Sequence, residues 1–205
     1  MTSFCTRRCV LLTSYCSPHR VDMHREIVKL WLEGSHDLDI YLVDSYGCGI
    51  RDRDVLAHPR FTQYTFSQED IFGRYNCNQE LRRAGPTSLE RYSIYRALRD
   101  VPRLRAYQYI FKITCKYYFD DEILHAEYTR PLLVQDCHHL FEWQHSEIWG
   151  APPELMIRLM TWIPRHYLME RFMADAAAVI PFERLPPIPL LDMRERFNHT
   201  TLRTL

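Results

Sequence analysis

Apolar residues fall in short runs separated by polar punctuation, and the first run sets the fold. Cys9-Val-Leu-Leu-Thr-Ser14 is apolar, closes on small polar residues and meets Pro18, the pattern of a buried strand running into a loop. Met23, Ile27, Leu30 and Trp31 then recur at helical spacing, with Asp22 placed to cap the helix and Gly34 to stop it. Leu38 to Asp44 is a second buried run, ended by Ser45-Tyr-Gly-Cys-Gly49. Strand, helix and strand within about 35 residues predict a right-handed parallel crossover.

Later segments continue the alternation. Phe61 to Phe66 alternates weakly as a third strand, and the polar stretch from Ile71 to Arg83 reads as loop or short helix. Leu89, Tyr92, Ile94, Tyr95 and Leu98 form an apolar stripe behind a Thr87 or Ser88 cap, which predicts a helix through Asp100 before Pro102. Tyr107 to Phe119 reads as one central strand, with Lys112, Thr114 and Lys116 on one face and Ile113, Cys115 and Tyr117 on the other. Leu132 to Gln135 is a further strand, and Pro152 to Ile163 and His166 to Ala178 are helices. The expected fold is α/β, a mainly parallel, Rossmann-like sheet flanked by helices in a single domain over residues 1–180. The proline-rich segment after Pro181 predicts an extended tail, 181–205, packed on that domain.

Composition narrows the function classes. A chain of 205 residues can bury roughly 70% of its unfolded surface without staples. The formal net charge is +0, which lacks the electrostatic footprint of a non-specific nucleic-acid or membrane-surface binder. Seven scattered cysteines with no C-x-x-C pair read as reduced thiols, and no run approaches a membrane span, so a cytoplasmic protein is expected.

In an open parallel sheet, ligands bind outside the carboxyl ends of the strands, so chemistry is sought there. Thr13, Ser14 and Arg20, around Pro18-His19, offer hydroxyls, backbone N–H groups and a guanidinium to a phosphate near a helix start, or else make an ordinary loop. Asp44 and Ser45 end the second strand, where a carboxylate can bind a base or ribose, or open a turn. Lys112, Thr114 and Lys116 place two ammonium groups and a hydroxyl on one strand face; burying them without an anion is costly. Asp120 and Asp121 are weak candidates for a divalent cation, Mn2+ or Mg2+, because adjacent residues of a strand point apart. Asp136-Cys-His-His139 lacks the second half of a structural zinc site. Glu147, between small and apolar residues ahead of a predicted helix, suits a general base, or a simple cap.

Taken in order, Leu12-Thr-Ser14 with Pro18-His-Arg20, Val43-Asp-Ser45-x-Gly47, Gly85-Pro-x-Ser88-Leu-Glu90-x-x-Ser93-Ile94, Phe111-Lys-Ile-Thr114-x-Lys116-Tyr117, Ser146-Glu-Ile-x-Gly150 and Leu185-Pro-Pro-Ile188 cover nearly the whole chain. Together they resemble the GT-A-type glycosyltransferase-like proteins found among large DNA viruses, algae and some bacteria. The resemblance implies a UDP- or GDP-sugar donor and transfer to a glycan or other hydroxyl acceptor, with no nucleic acid and no membrane span. Two departures stand out: Cys115 replaces an expected glycine, and no Asp-x-Asp is recognisable in its usual place. Thr13, Ser14, Arg20, Asp44, Ser45, Lys112, Thr114 and Lys116 are then expected at the donor, with Glu147 as the base of an inverting displacement. The rival expectations are an inactive nucleotide- or sugar-binding module and a nucleic-acid-processing protein, the latter drawn from interleaved arginines and tyrosines at Arg91-Tyr92 and Arg105 to Tyr109.

Overall fold

The computed structural model describes residues 7–35, 37–67, 85–120, 122–135, 147–162, 169–185, 188–192 and 202–204. The chain runs β1 (Arg8–Ser14), α1 (Val21–Gly34), β2 (Asp39–Asp44), α2 (Arg53–Leu56), β3 (Phe61–Thr65), α3 (Gly85–Asp100), a 3-10 turn (Pro102–Ala106), β4 (Tyr109–Thr114) and β5 (Tyr117–Tyr118). It continues with α4 (Glu122–His125), β6 (Leu132–Val134), β7 (Ile148–Ala151), α5 (Pro153–Thr161), α6 (Met169–Val179), β8 (Phe182–Arg184), β9 (Pro189–Asp192) and β10 (Leu202–Thr204). The main sheet has the order β3-β2-β1-β4-β7-β6-β8. Neighbours are parallel from β3 to β4 and again between β6 and β8; β7 alone is reversed against both its neighbours.

Central strands buried on both faces explain the continuous apolar runs of β1 and β2. Val10, Leu12, Ile40, Leu42, Phe111 and Ile113 pack on one face with Ile27, Val28 and Trp31 of α1. Leu11, Tyr41, Val43, Ile110, Trp149 and Ala151 pack on the other with Ile94 and Leu98 of α3, Met156 of α5 and Phe172 of α6. Arg91 ties the helices of that second face together. Its guanidinium lies 4.5 Å from the Phe172 ring centroid and donates to the carbonyls of Leu159 and Met160 at 3.3 and 2.9 Å, at the C-terminal end of α5 where helix carbonyls lack partners within the helix.

Three expectations change. The single strand from Tyr107 to Phe119 is two: β4 stops at Thr114, the Lys116 N–H turns back to the Thr114 carbonyl at 2.7 Å, and Tyr117–Tyr118 leave for a second, three-stranded sheet, β10-β9-β5. Lys116 therefore stands in a turn and does not continue the face of Lys112 and Thr114. Ile148-Trp-Gly-Ala151, expected to lead into a helix, is a fully buried reversed strand. A Cβ at Gly150 would lie 2.6 Å from the Tyr109 ring, so the bare glycine lets β7 pass the aromatics of β4. Asp22 does not cap α1; the N-cap is Arg20, and Asp22 sits in the first turn, 2.9 Å from Arg25. Within 181–205, Phe182–Arg184 form β8 in the main sheet, and Pro189–Asp192 and Leu202–Thr204 form β9 and β10 in the second. The Ile71 to Arg83 stretch and Asp136 to His139 lie outside the described residues.

Candidate functional site

Parallel strands bring their carboxyl ends to one edge, and a row of hydrogen bonds runs along it. Ser45 N–H donates to the Ser14 carbonyl at 3.1 Å, and the Cys115 N–H to that of Thr13 at 2.9 Å. The Thr114 N–H donates to the Glu147 carbonyl at 2.9 Å, and the Ile148 N–H to Gln135 Oε1 at 2.9 Å. Thr13 and Thr114 become neighbours because β1 and β4 run parallel, and Glu147 joins them because β7 enters the sheet antiparallel, its first residue Ile148 facing Ile113 near the end of β4. Thr13, Ser14, Asp44, Ser45, Thr114 and Glu147 all stand on this edge.

Asp44 organises the loops that leave it. Fully buried, its Oδ1 accepts the N–H groups of Cys16 and Tyr46 at 2.8 and 3.1 Å, and its Oδ2 those of Gly47 and Gly49 at 3.1 and 2.9 Å. Gly47 and Gly49 have φ of 93° and 60°, values that a side chain would strain, so these N–H groups reach the carboxylate only because both residues are glycine. The carboxylate holds the β1 and β2 loops together. Tyr15 and Tyr46, one on each loop, meet edge to face with centroids 4.9 Å apart, and Tyr15 is 45% exposed. Burial, reinforced by Asp44, pushes the Cys16 thiol up to about 12, and burial also raises Cys115, so neither is a thiolate near neutral pH.

Lys112 has a partner that sequence reasoning did not assign. Its side chain is 0% exposed and ion-paired with Glu90 of α3, while its ammonium also donates to Thr114 Oγ1 at 3.0 Å. Thr13 Oγ1 donates to the same Glu90 carboxylate at 3.3 Å. The cation reached the core because an anion from the covering helix meets it, as the cost of an isolated buried charge requires. The only sequence clue was the position of Glu90 one residue after Leu89 of the apolar stripe.

At the start of α1, Arg20 is exposed and its carbonyl accepts the His24 N–H at 3.0 Å. His24 is buried, and its Nδ1 meets no hydrogen-bond partner among the described residues. Burial pulls its pKa down from 6.5 to about 4, with Asp44 opposing and Arg20 adding to the fall. Because the folded value lies below the unfolded one, the unfolded chain binds the proton first as pH drops. Stability is complete above about pH 6.5 and declines toward pH 4, by on the order of 3 kcal/mol for this group. Chemical denaturation at pH 7 and pH 4.5 is expected to show that loss shrinking in His24→Leu; an equal loss in both proteins assigns the acid sensitivity elsewhere.

Lys116 lies with its ammonium 4.7 Å from the Tyr117 ring centroid. Asp120 is exposed and accepts the Glu122 N–H at 3.4 Å, while Asp121 lies outside the described residues. Asp52 caps α2 and pairs with Lys29 at 2.9 Å, and Asp39 binds Tyr107 and Arg103 at the opposite edge. Among the described residues no three His, Cys, Asp or Glu side chains gather into a cation site. Glu90 is committed to Lys112, so the described carboxylates on this edge do not form a cluster suited to Mn2+ or Mg2+.

The parallel β3-β2-β1-β4 half, the reversed β7 and the helices on both faces make the fold GT-A-like. The chain is similar to the mannosyltransferase PcManGT of Pyrobaculum calidifontis in complex with GDP-Man and Mn2+, with a TM-score of 0.53 and 13% identity over 88% of this chain and 54% of that one. It is also similar to the galactosyltransferase LgtC in complex with donor and acceptor sugar analogs, with a TM-score of 0.44 and 9% identity over 73% of this chain and 59% of that one. The likeness is one of fold, and the chain spans little more than half the length of these neighbours. No protein-family model matches the chain, and no curated protein matches it in sequence. Among the described residues no helix is long and apolar enough to cross a membrane.

Proposed function

We propose that this protein transfers a sugar from a nucleotide-sugar donor, a UDP- or GDP-sugar, to a hydroxyl of a glycan or other acceptor, at the edge where β1, β2 and β4 end and β7 begins. The observation that carries the reading is the hydrogen-bonded row from Ser45 through Ser14, Thr13 and Thr114 to Glu147. In this reading the β1 and β2 loops, ordered by Asp44, bind the nucleotide, with Ser14 and Ser45 beside it and Tyr15 available to stack on the base. Arg20 and the N-terminal N–H groups of α1 face the diphosphate, where a helix start favours negative charge. Lys116 adds a second cation from the β4 turn. Lys112, neutralised by Glu90, serves by fixing Thr114 and Thr13.

Glu147 then removes the proton of the acceptor hydroxyl. The acceptor oxygen attacks the anomeric carbon, the bond from that carbon to the diphosphate oxygen breaks, and the nucleoside diphosphate leaves with the electron pair, giving an inverted product. Since Glu147 and the α1 N-terminus lie at different points along the edge, base and leaving group are separated, as a single displacement needs.

A second reading, binding without turnover, is favoured by the neutralisation of Lys112, which takes one candidate cation away from the leaving group. One experiment separates them. Thermal unfolding with UDP-glucose, UDP-galactose and GDP-mannose, with and without Mn2+, is expected to show stabilisation that grows with ligand concentration, by about 2.7 kcal/mol at a hundred times Kd. Product formation is followed in parallel with simple sugar acceptors. Stabilisation without transfer or hydrolysis supports the binding module, and no stabilisation by any nucleotide sugar overturns both readings.

A further inference from the structure

The edge continues one strand beyond Glu147, to a residue that no pattern in the sequence marked. β6 is antiparallel to β7, which is antiparallel to β4, so β6 ends on the same edge as β4 and Gln135 follows its last residue, Val134. Gln135 Oε1 accepts the Ile148 N–H at 2.9 Å. A backbone N–H can bond only the oxygen of the carboxamide, so this contact decides how the amide is turned and directs Nε2, with its two N–H groups, away from β7. The residue is 3% exposed, and Nε2 meets no acceptor among the described residues. Buried donors in folded proteins are normally satisfied, and here an oriented one is left over beside Glu147.

We propose that Gln135 Nε2 donates a hydrogen bond to a hydroxyl oxygen of the donor's sugar and so helps select which sugar is accepted. The inference rests on the nucleotide-sugar reading above and adds a residue to it. The order of groups along the edge argues for the sugar over the diphosphate. Arg20 and the α1 N-terminus stand on the β1 side, Glu147 stands between, and Gln135 stands beyond Glu147. A sugar whose anomeric carbon reacts near Glu147 and whose diphosphate points toward α1 extends its ring toward β6. The donor is also neutral, which suits an uncharged oxygen, whereas phosphate oxygens are matched by guanidinium, ammonium and helix N-termini.

Gln135→Glu keeps an oxygen for the Ile148 N–H and replaces the amide donor by a second acceptor. By calorimetry, the variant is expected to bind UDP and GDP within about twofold of the wild type, since neither carries a sugar beyond the diphosphate. Its affinity for whichever of UDP-glucose, UDP-galactose and GDP-mannose the wild type binds should fall about tenfold or more, the scale of one lost neutral hydrogen bond. Unchanged affinity for the nucleotide sugar overturns the proposal, as does a parallel loss for nucleotide and nucleotide sugar, which marks a structural role. A second arm needs no variant, should Gln135→Glu fail to fold: among monodeoxy analogues of the bound sugar titrated against the wild type, one is expected to lose a similar factor, and equal affinity for all of them overturns the proposal. If the wild type binds nucleoside diphosphates and nucleotide sugars not at all, the nucleotide-sugar reading itself fails, a result distinct from either of the others.

Discussion

Replacing Glu90 by alanine is expected to destabilise the protein by about 3–5 kcal/mol, the cost of leaving a buried charge without its partner. Lys112 is wholly enclosed, its ammonium bonds Glu90 and Thr114, and the same carboxylate accepts from Thr13. Loss of Glu90 strands all of this at once. The effect is read as a fall in the denaturation midpoint at unchanged slope, which reports stability alone. The pair itself need not be net stabilising, because desolvating both ions offsets much of their attraction. The double variant Glu90→Leu with Lys112→Met is therefore expected to recover most of the loss, since two apolar chains of similar volume replace the pair. A Glu90→Ala protein within about 1 kcal/mol of the wild type shows that water or a rearranged side chain reaches Lys112, and that the pair does not hold α3 to the sheet.

Glu147→Gln is expected to lower kcat for sugar transfer by about 10²–10⁴, the usual contribution of a general base, while nucleotide-sugar affinity stays within about threefold. The substitution is nearly isosteric. The contact that joins Glu147 to β4 is made by its backbone carbonyl to the Thr114 N–H, and it survives the change. Folding and the shape of the edge should be preserved, so a drop in turnover isolates the lost proton acceptor. Turnover equal to the wild type removes Glu147 from the role and leaves its neighbours on the edge as the next residues to test.

How far the chain disclosed its own fold depends on whether neighbours in sequence were also neighbours in space. The β1-α1-β2 unit was legible, because burial on both faces writes β1 and β2 as continuous apolar runs and burial on one face writes α1 as a stripe every three or four residues. The α3 and α5 helices were legible for the same reason; the ends of α5 are off by one or two residues, while α3 begins at Gly85, so that Thr87 and Ser88 lie inside it and not at its N-cap. β7 was not: a four-residue strand with no alternation and a proline after it has too little pattern to be told from a helix lead-in. Nor was the break after Thr114, because Cys115, Tyr117 and Phe119 are buried on either side of the turn and keep the alternation of an unbroken strand.

The site divides along the same line. Sequence order alone placed Thr13, Ser14 and Asp44 at strand ends, since a strand's last residues and the edge they reach follow from local pattern and parallel topology. The rest came from pairings between distant segments. Only the reversed β7 sets Glu147 beside Thr114 and Ile148 beside Gln135, and only the packing of α3 across the sheet gives Lys112 its anion. Asp44 is the sharpest case: its type and position suggested a ligand contact, but four backbone N–H groups from two loops converge on its oxygens. Local periodicity records which face of a strand or helix is buried; which charges and donors meet there depends on contacts between residues far apart in the chain, and no local pattern encodes them.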